Sequence, residues 1–230
     1  MKLLAFDTAT DVCTVAVFLD GAVHERREIG RRHAERLLVM IDEALVDAGA
    51  TLRGLDAICF GRGPGSFTGL RICAGVAQGL AFGADLPVVA VSSLAATAQF
   101  ARSDRVLAAF DARMQQVYWG AFVADADGLV QLEGDERVIA PSAVPVPAAP
   151  NWIGAGNGWE PYAAPLRKRL GDRLQRWRAG CYPSARCVAE LGARDFRAGK
   201  AVAAEQALPV YLRDDVAVKN GENKRRHGDA

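Results

Sequence analysis

Histidine is scarce in this 230-residue sequence and is never clustered: His24, His33 and His227 stand far apart, and neither an H-E-x-x-H nor an H-x-x-x-H pair occurs. Two imidazoles one helical turn apart are a common way for a helix to hold a catalytic metal. The sequence therefore offers no metallohydrolase centre of that kind. Cysteine is limited to Cys13, Cys59, Cys73, Cys181 and Cys187, an odd number without a C-x-x-C pair. Lying mostly in apolar runs, these read as reduced, buried thiols of an intracellular protein and not as a disulfide framework. No apolar stretch is long enough to span a bilayer. The N-terminus enters a short strand pattern at Leu3-Leu4-Ala5-Phe6-Asp7 without the apolar core and cleavage site of a secretory signal, so a cytoplasmic location without membrane contact is expected. An excess of charge is missing too, since 28 Lys and Arg face 27 Asp and Glu. No global field draws the protein to a polyanion, and any RNA contact must be local or supplied by a partner.

What is present is apolar sequence with clear periodicity. Half of the residues are hydrophobic, enough for two compact halves with their own cores. Residues 3–7 and 12–19 are β-rich, and Asp20-Gly21 is a turn signal before a third run at 22–29, which together predict a three-stranded meander. From His33 the period becomes helical: Ala34, Leu37, Leu38, Ile41, Ala44, Leu45 and Ala48 share a stripe that Gly49 stops. Val39 and Met40 fall beside that stripe, as scattered exposed residues or as contacts to a second partner. Ala57-Ile58-Cys59-Phe60 reads as a buried strand, and a helix follows over 67–82 that is dense in Gly69, Ala74, Gly75, Ala77, Gly79 and Ala81. Each such glycine costs about 1 kcal/mol of helix propensity relative to alanine. Close approach of another backbone, from this chain or another, would offset that. A strand at 87–91 and a capped helix at 92–101 complete the first half.

The opening pattern then returns. Leu3 to Thr10 is echoed by Val106 to Arg113, and each apolar strand ends in an aspartate, Asp7 or Asp111, before a second strand and an Asp-Gly turn, Asp20-Gly21 or Asp127-Gly128. Such a repeat predicts an internal duplication, with two related halves facing each other across a cleft. The expected fold is α/β, with each half a mixed sheet that opens with a β-meander and is flanked by helices. We place the halves at 1–103 and 104–217, followed by a basic, aperiodic tail at 218–230. A strand into a glycine loop at 152–158, a last helix within 183–199 and an ordered segment at 208–213 are expected in the second half.

Between strand and helix runs Gly61-Arg62-Gly63-Pro64-Gly65-Ser66-Phe67-Thr68-Gly69-Leu70-Arg71. Its glycines free the backbone for turns, and Ser66 or Thr68 can cap the helix. The helix N-terminus would then attract a phosphate or carboxylate. The other reading is a tight strand-to-helix turn with Arg62 and Arg71 bonded locally, which we favour because a Walker lysine is missing.

A strand, an aspartate and a hairpin in two halves resemble the acetate and sugar kinase, Hsp70 and actin superfamily. The motifs Phe6-Asp7-Thr8-Ala9-Thr10, Gly61 to Arg71, Phe110-Asp111-Ala112-Arg113 and Pro209-Val210-Tyr211-Leu212-Arg213 resemble, in order and spacing, the TsaB (YeaZ) family. The resemblance covers nearly everything from Lys2 to about Val218. It implies a non-catalytic scaffold and activator of the enzyme that forms N6-threonylcarbamoyladenosine next to the anticodon of tRNAs reading codons that begin with A. The catalytic paralogue, TsaD, carries an H-x-x-x-H pair on the helix where this sequence has Ser93 and Thr97, and neutral hydroxyls are poor ligands for such a metal.

The implied partners are TsaD, the ATPase TsaE bound through the TsaB–TsaD heterodimer, and a second copy of the chain in isolation. The tRNA enters as substrate of the complex. No cofactor is expected of the chain itself, ATP, ADP and metal belonging to the partners. An interface is implied on the helices at 33–48 and 67–82, through Leu37, Met40, Ile41, Gly69, Leu70, Cys73, Gly75 and Ala77. Asp7, Thr8, Arg62, Gly63, Gly65, Ser66, Asp111 and Arg113 are expected around the interdomain cleft, a vestigial nucleotide site, with Arg113 and Tyr118 ordering it. The alternatives are an ATP-dependent phosphotransferase or hydrolase using Asp7 and Asp111, a metallopeptidase, and a tRNA-binding module using Arg26-Arg27, Arg31-Arg32 and Lys224-Arg225-Arg226.

Overall fold

A computed structural model describes residues 1–30 and 32–213, so Arg31 and the tail expected at 218–230 lie outside the described residues. β1 (Lys2–Asp7), β2 (Val12–Leu19) and β3 (Ala22–Ile29) form the opening meander. The turn between β2 and β3 uses Asp20 at φ 48° and Gly21 at φ 102°, the left-handed geometry that matches strand twist in a two-residue hairpin. β4 (Ala57–Gly63) runs parallel to β1, and β5 (Val88–Ser92) parallel to β4. The sheet order is β3-β2-β1-β4-β5. In the second half β6 (Arg105–Asp111), β7 (Val117–Ala124), β8 (Val130–Ile139), β9 (Trp152–Ala155) and β10 (Leu174–Arg178) take the matching order β8-β7-β6-β9-β10. The identical order and pairing sense of the two sheets express in three dimensions the duplication legible in sequence.

The five helices are α1 (His33–Asp47), α2 (Phe67–Ala84), α3 (Ser93–Phe100), α4 (Trp159–Leu170) and α5 (Ala185–Arg197) among the described residues. Strand alternation decides where they sit. Leu4 and Phe6 of β1 face outward to a core shared with α1 and α2, while Leu3 and Ala5 face inward to a central core with α3 and α5. In β6, Val106, Ala108 and Phe110 join that central core, and Leu107 and Ala109 face an outer core of Trp119, Trp152, Trp159, Leu166 and Leu170 under α4. The result is five layers, helices–sheet–helices–sheet–helix. Because both faces of each sheet are covered, β1 and β6 read as continuous apolar runs. Two of the buried indoles have their donors satisfied, Trp152 Nε1 on the Ala149 carbonyl at 2.8 Å and Trp159 Nε1 on the Leu107 carbonyl at 3.0 Å.

Two expectations need correction. The strands of the first sheet all precede residue 104 and those of the second all follow it, but the helices do not keep to that order. α3 packs on β6, β7 and β8 of the second sheet as well as on β4 and β5 of its own, whereas α5 packs on β1, β2, β4 and β5. Gly192 permits the latter, since a Cβ there would lie 2.4 Å from Cys59 Sγ. Beyond α5 the chain stays with the first sheet, where Val202 bridges Val88 and the Val210 N–H donates to the Arg62 carbonyl at 2.8 Å. The segment assigned to the second half up to 217 therefore returns to the first from residue 185, because the middle layer needs a helix against each inner sheet face.

The second correction concerns the partner face. Leu37, Met40 and Ile41 of α1 and Gly69, Leu70, Cys73 and Ala77 of α2 are buried, turned toward the chain's own sheet. Met40 belongs to the buried stripe of α1 instead of falling beside it. Gly75 alone of the expected interface residues is exposed. The outward faces carry Leu38, Val39 and Val46 on α1, and Gly75, Gly79, Phe82 and Gly83 on α2.

Candidate functional site

The glycine string wraps around the turn that follows β1. The Ser66 N–H donates to the Ala9 carbonyl at 2.7 Å, and Thr8 Oγ1 donates to the Gly69 carbonyl at 2.8 Å. A Cβ at Gly65 would stand 2.3 Å from the Ala9 carbonyl oxygen, and one at Gly69 only 2.0 Å from that of Thr8. Side chains are excluded here by backbone meeting backbone. Ser66 caps α2, its Oγ accepting the Gly69 N–H at 3.4 Å. The tight-turn reading of the string thus describes its geometry, with one N–H of the loop and one of the first helical turn already engaged.

The interdomain cleft has a volume of about 630 Å³. Gly65 and Ser66 line it from the loop, Asp111 and Arg113 from the end of β6, and Tyr211 and Arg213 from the returning C-terminal segment. Asp7, Thr8, Arg62 and Gly63 do not. Asp7 and Thr8 are fully buried behind the loop, because the glycine string closes over the β1 turn. Gly63, at φ 99°, packs against Leu70 and the Val210 carbonyl. Arg62 points away, into a smaller cavity of about 410 Å³, where it meets Glu136 at 3.1 Å. Glu136, on β8, also accepts the Ser92 hydroxyl, so these residues clamp the halves together.

The two strand-end aspartates make the same local turn. Asp7 Oδ1 accepts the Ala9 N–H at 2.7 Å, and Asp111 Oδ1 accepts the Arg113 N–H at 2.8 Å. Their surroundings differ. Asp7 Oδ2 accepts the Ser93 hydroxyl at 2.5 Å. Burial pushes its carboxyl up to about 6, while the Ser93 and Ala9 bonds favour the ionised form. Asp111 holds the Arg113 guanidinium at 3.1 Å and the Tyr162 hydroxyl at 3.3 Å. The pair does not face one ligand from opposite walls, as a two-aspartate nucleotide site requires.

Sequence reasoning named Arg113 and Tyr118, which line this cleft, but not the aromatic contacts at its mouth. Phe67 and Tyr211 stack with ring centroids 5.4 Å apart, and the Arg71 guanidinium lies 3.9 Å from the Phe67 ring centre. Arg113, Met114 and Gln115 have φ values of 61°, 51° and 59°, three left-handed non-glycine residues in succession, a conformation strained for each of them. Arg213 braces this loop through Gln116 and Met114. His33 lines the cleft, its Nε2 2.8 Å from the Thr10 carbonyl and its buried Nδ1 without a hydrogen bond. Of the outward α1/α2 face the sequence pointed to Val39, Gly75 and Gly79 but not to Phe82 or Gly83, although glycines at 75, 79 and 83 recur at the helical repeat.

The positions of a metal-binding pair do not fit a metal. Ser93 Oγ is committed to Asp7, Thr97 Oγ1 donates to the Ser93 carbonyl at 2.9 Å, and both side chains are fully buried. Among the described residues no group of three His, Cys, Asp or Glu is placed to hold a metal ion. The thiols are poor nucleophiles, burial pushing Cys59 and Cys187 up to about 12.

A family model described as "TsaD: tRNA N6-adenosine threonylcarbamoyltransferase" matches residues 24–150. Among curated proteins, the tRNA threonylcarbamoyladenosine biosynthesis protein TsaB of Escherichia coli (strain K12) is 41% identical, the match covering 95% of this chain and 97% of that protein. The chain belongs to the TsaB family. TsaB of Haemophilus influenzae is 39% identical over 95% of this chain and 96% of its own length. The solved structure of YeaZ from Pseudomonas aeruginosa superimposes with a TM-score of 0.85 at 46% identity, covering 92% of this chain and 99% of that one. The match to the TsaD model runs from the first half into the start of the second, and with the YeaZ likeness it fits an actin-like, two-subdomain fold.

Proposed function

We propose that this TsaB chain serves tRNA threonylcarbamoyladenosine formation as a non-catalytic subunit that binds and activates the TsaD-type enzyme. Membership of the family supports a part in that modification, and the hydroxyls committed at Ser93 and Thr97 support a role without metal chemistry. ATP, ADP and metal are then the business of the partners, with TsaE docking on the heterodimer. One observation carries the reading of an interface. A Cβ added at Gly75, Gly79 or Gly83 would meet nothing within 4 Å, so among the described residues no contact offsets three helix glycines at about 1 kcal/mol each. The backbone of a second molecule pressed on this face would. Leu38 and Val39, 50% and 42% exposed, and Phe82, 85% exposed, add apolar area on the same outer layer. The same face would serve a self-dimer, so the two associations compete.

Charge is therefore to be placed at Gly75 and Gly79 and not at Leu70, which is buried. The double variant G75E/G79E is expected to fold with an unchanged circular dichroism spectrum and to lose co-purification with the catalytic subunit and tRNA modification together. Modification that persists after the complex is lost refutes the scaffold role.

A further inference from the structure

The end of α4 and the strand β10 carry Arg167, Lys168, Arg169, Arg173, Arg176 and Arg178 with Asp172 as the one acid among them. All six basic residues are exposed. Arg169 and Arg178 are steadied on backbone carbonyls, those of Val144 at 2.9 Å and Ala101 at 2.8 Å. None of the six makes an ion pair among the described residues. In a chain of net charge +1 this is a local field of one sign.

Two ordinary explanations account for part of it. Basic residues in the last turn of α4 complement the helix dipole, and charges on an edge strand discourage pairing with another chain. The dipole sets the sign of Arg167, Lys168 and Arg169 alone, and edge protection requires no particular sign, so the cations at Arg173, Arg176 and Arg178 are explained by neither. The meander edge of the first sheet, β3, is by contrast guarded by neutralised charge, with Arg26 meeting Glu43 at 2.9 Å and Asp47 at 2.6 Å and Glu28 meeting Arg36 at 2.7 Å. β8 mixes Glu133, Asp135 and Glu136 with Arg137. A register shift between Leu174 and Arg176 in β10 lets Leu174 and Trp177 both pack on the outer core, leaving Arg173 and Arg176 outside. Five of the six are arginines, whose planar forks match phosphate oxygens two at a time. The patch also lies on the opposite side of the layered stack from the outward α1/α2 face, so a partner docked there leaves it open.

We propose that this basic edge of the second half grips the sugar–phosphate backbone of the tRNA substrate. The inference rests on the reading that the chain works in tRNA modification, but its test separates the two. An unmodified tRNA transcript is titrated by fluorescence anisotropy against the full chain, alone and mixed with its catalytic partner, over a range of salt. The variant R167Q/R173Q/R176Q is expected to weaken tRNA affinity about tenfold and to flatten the log–log salt dependence by about 2, as loss of roughly three phosphate contacts requires. Its heterodimer should form as before. A control removing the same charge elsewhere, R53Q/R137Q/R197Q, is expected to bind like the parent. Unchanged affinity and salt slope in the first variant overturn the proposal, as does an equal loss in the control, which would mark a bulk charge effect. Tighter binding to phosphatidylglycerol vesicles than to tRNA overturns it in favour of a membrane. If no heterodimer forms at all, the functional reading fails, and the tRNA titration of the chain alone still decides the role of the edge.

Discussion

Asp7 and Asp111 end equivalent strands, make the same two-residue turn and differ in nearly everything else. The first is sealed behind the glycine string with a serine hydroxyl on its free oxygen; the second sits in the cleft wall holding Arg113 and Tyr162. Duplication conserved a backbone device, and the surroundings decided the chemistry. In the first half the end of β4 closes directly on the aspartate, because Gly61 leaves room for a carboxylate where any other residue would place a Cβ. In the second, Gly156 and Gly158 approach the backbone of Ala109 and Phe110 instead, and the carboxylate keeps a path to the cleft.

The largest effect is expected where that difference originates. In Gly61→Ala the new Cβ would lie 1.8 Å from Asp7 Oδ2, and overpacking a rigid buried site of this kind destabilises by about 3 kcal/mol or more. Urea denaturation should show a midpoint collapse; a parent-like midpoint would mean that the aspartate is not caged.

Asp7→Asn sharpens the comparison through pH. The folded-state carboxyl, at about 6, lies above its ordinary value of 3.8. The proton is thus held more tightly in the folded chain, and the associated stability is fully present below 3.8 and lost as pH rises through about 6. That loss is on the order of 3 kcal/mol at 1.36 kcal/mol per pH unit. An asparagine can accept the Ala9 N–H and donate to Ser93 without carrying charge. The variant is expected to be more stable than the parent above pH 7 by about 2 kcal/mol and to flatten the decline between pH 4 and 7. A pH profile identical to the parent's would refute the buried-carboxylate account.

The smallest effect belongs to the other half. Asp111→Asn breaks an ion pair whose arginine side chain is 72% exposed, and exposed pairs contribute about 0.2–1 kcal/mol. A thermal shift of more than a few degrees would show that Asp111 carries structural weight equal to that of Asp7, and the contrast between the halves would fail.

Much of this was legible beforehand because periodicity and turn chemistry are local. The meander, the helices beginning at His33 and Phe67, and the repeated strand–aspartate pattern all follow from spacing alone. α4 and β10 were not legible. Pro161 and Pro165 interrupt the helical signal of α4, whose backbone is irregular at Tyr162 (φ −117°, ψ 18°), and the five residues of β10 carry a register shift that breaks strict alternation. The site suffered differently. Residues such as Leu37, Leu70 and Cys73 were correctly seen as apolar or small, but a helix pattern does not say which of its faces meets the chain's own sheet.

The sequence by itself determined the duplicated strand units, the cap and turn chemistry of the glycine string, and the absence of paired imidazoles, since each depends on neighbours within a few residues. Tertiary structure alone decided that Asp7 is sealed while Asp111 is open, that α5 packs on the first sheet, and that the six basic residues of 167–178 stay exposed. Those outcomes depend on which faces become buried together, and burial is a property of the packed whole.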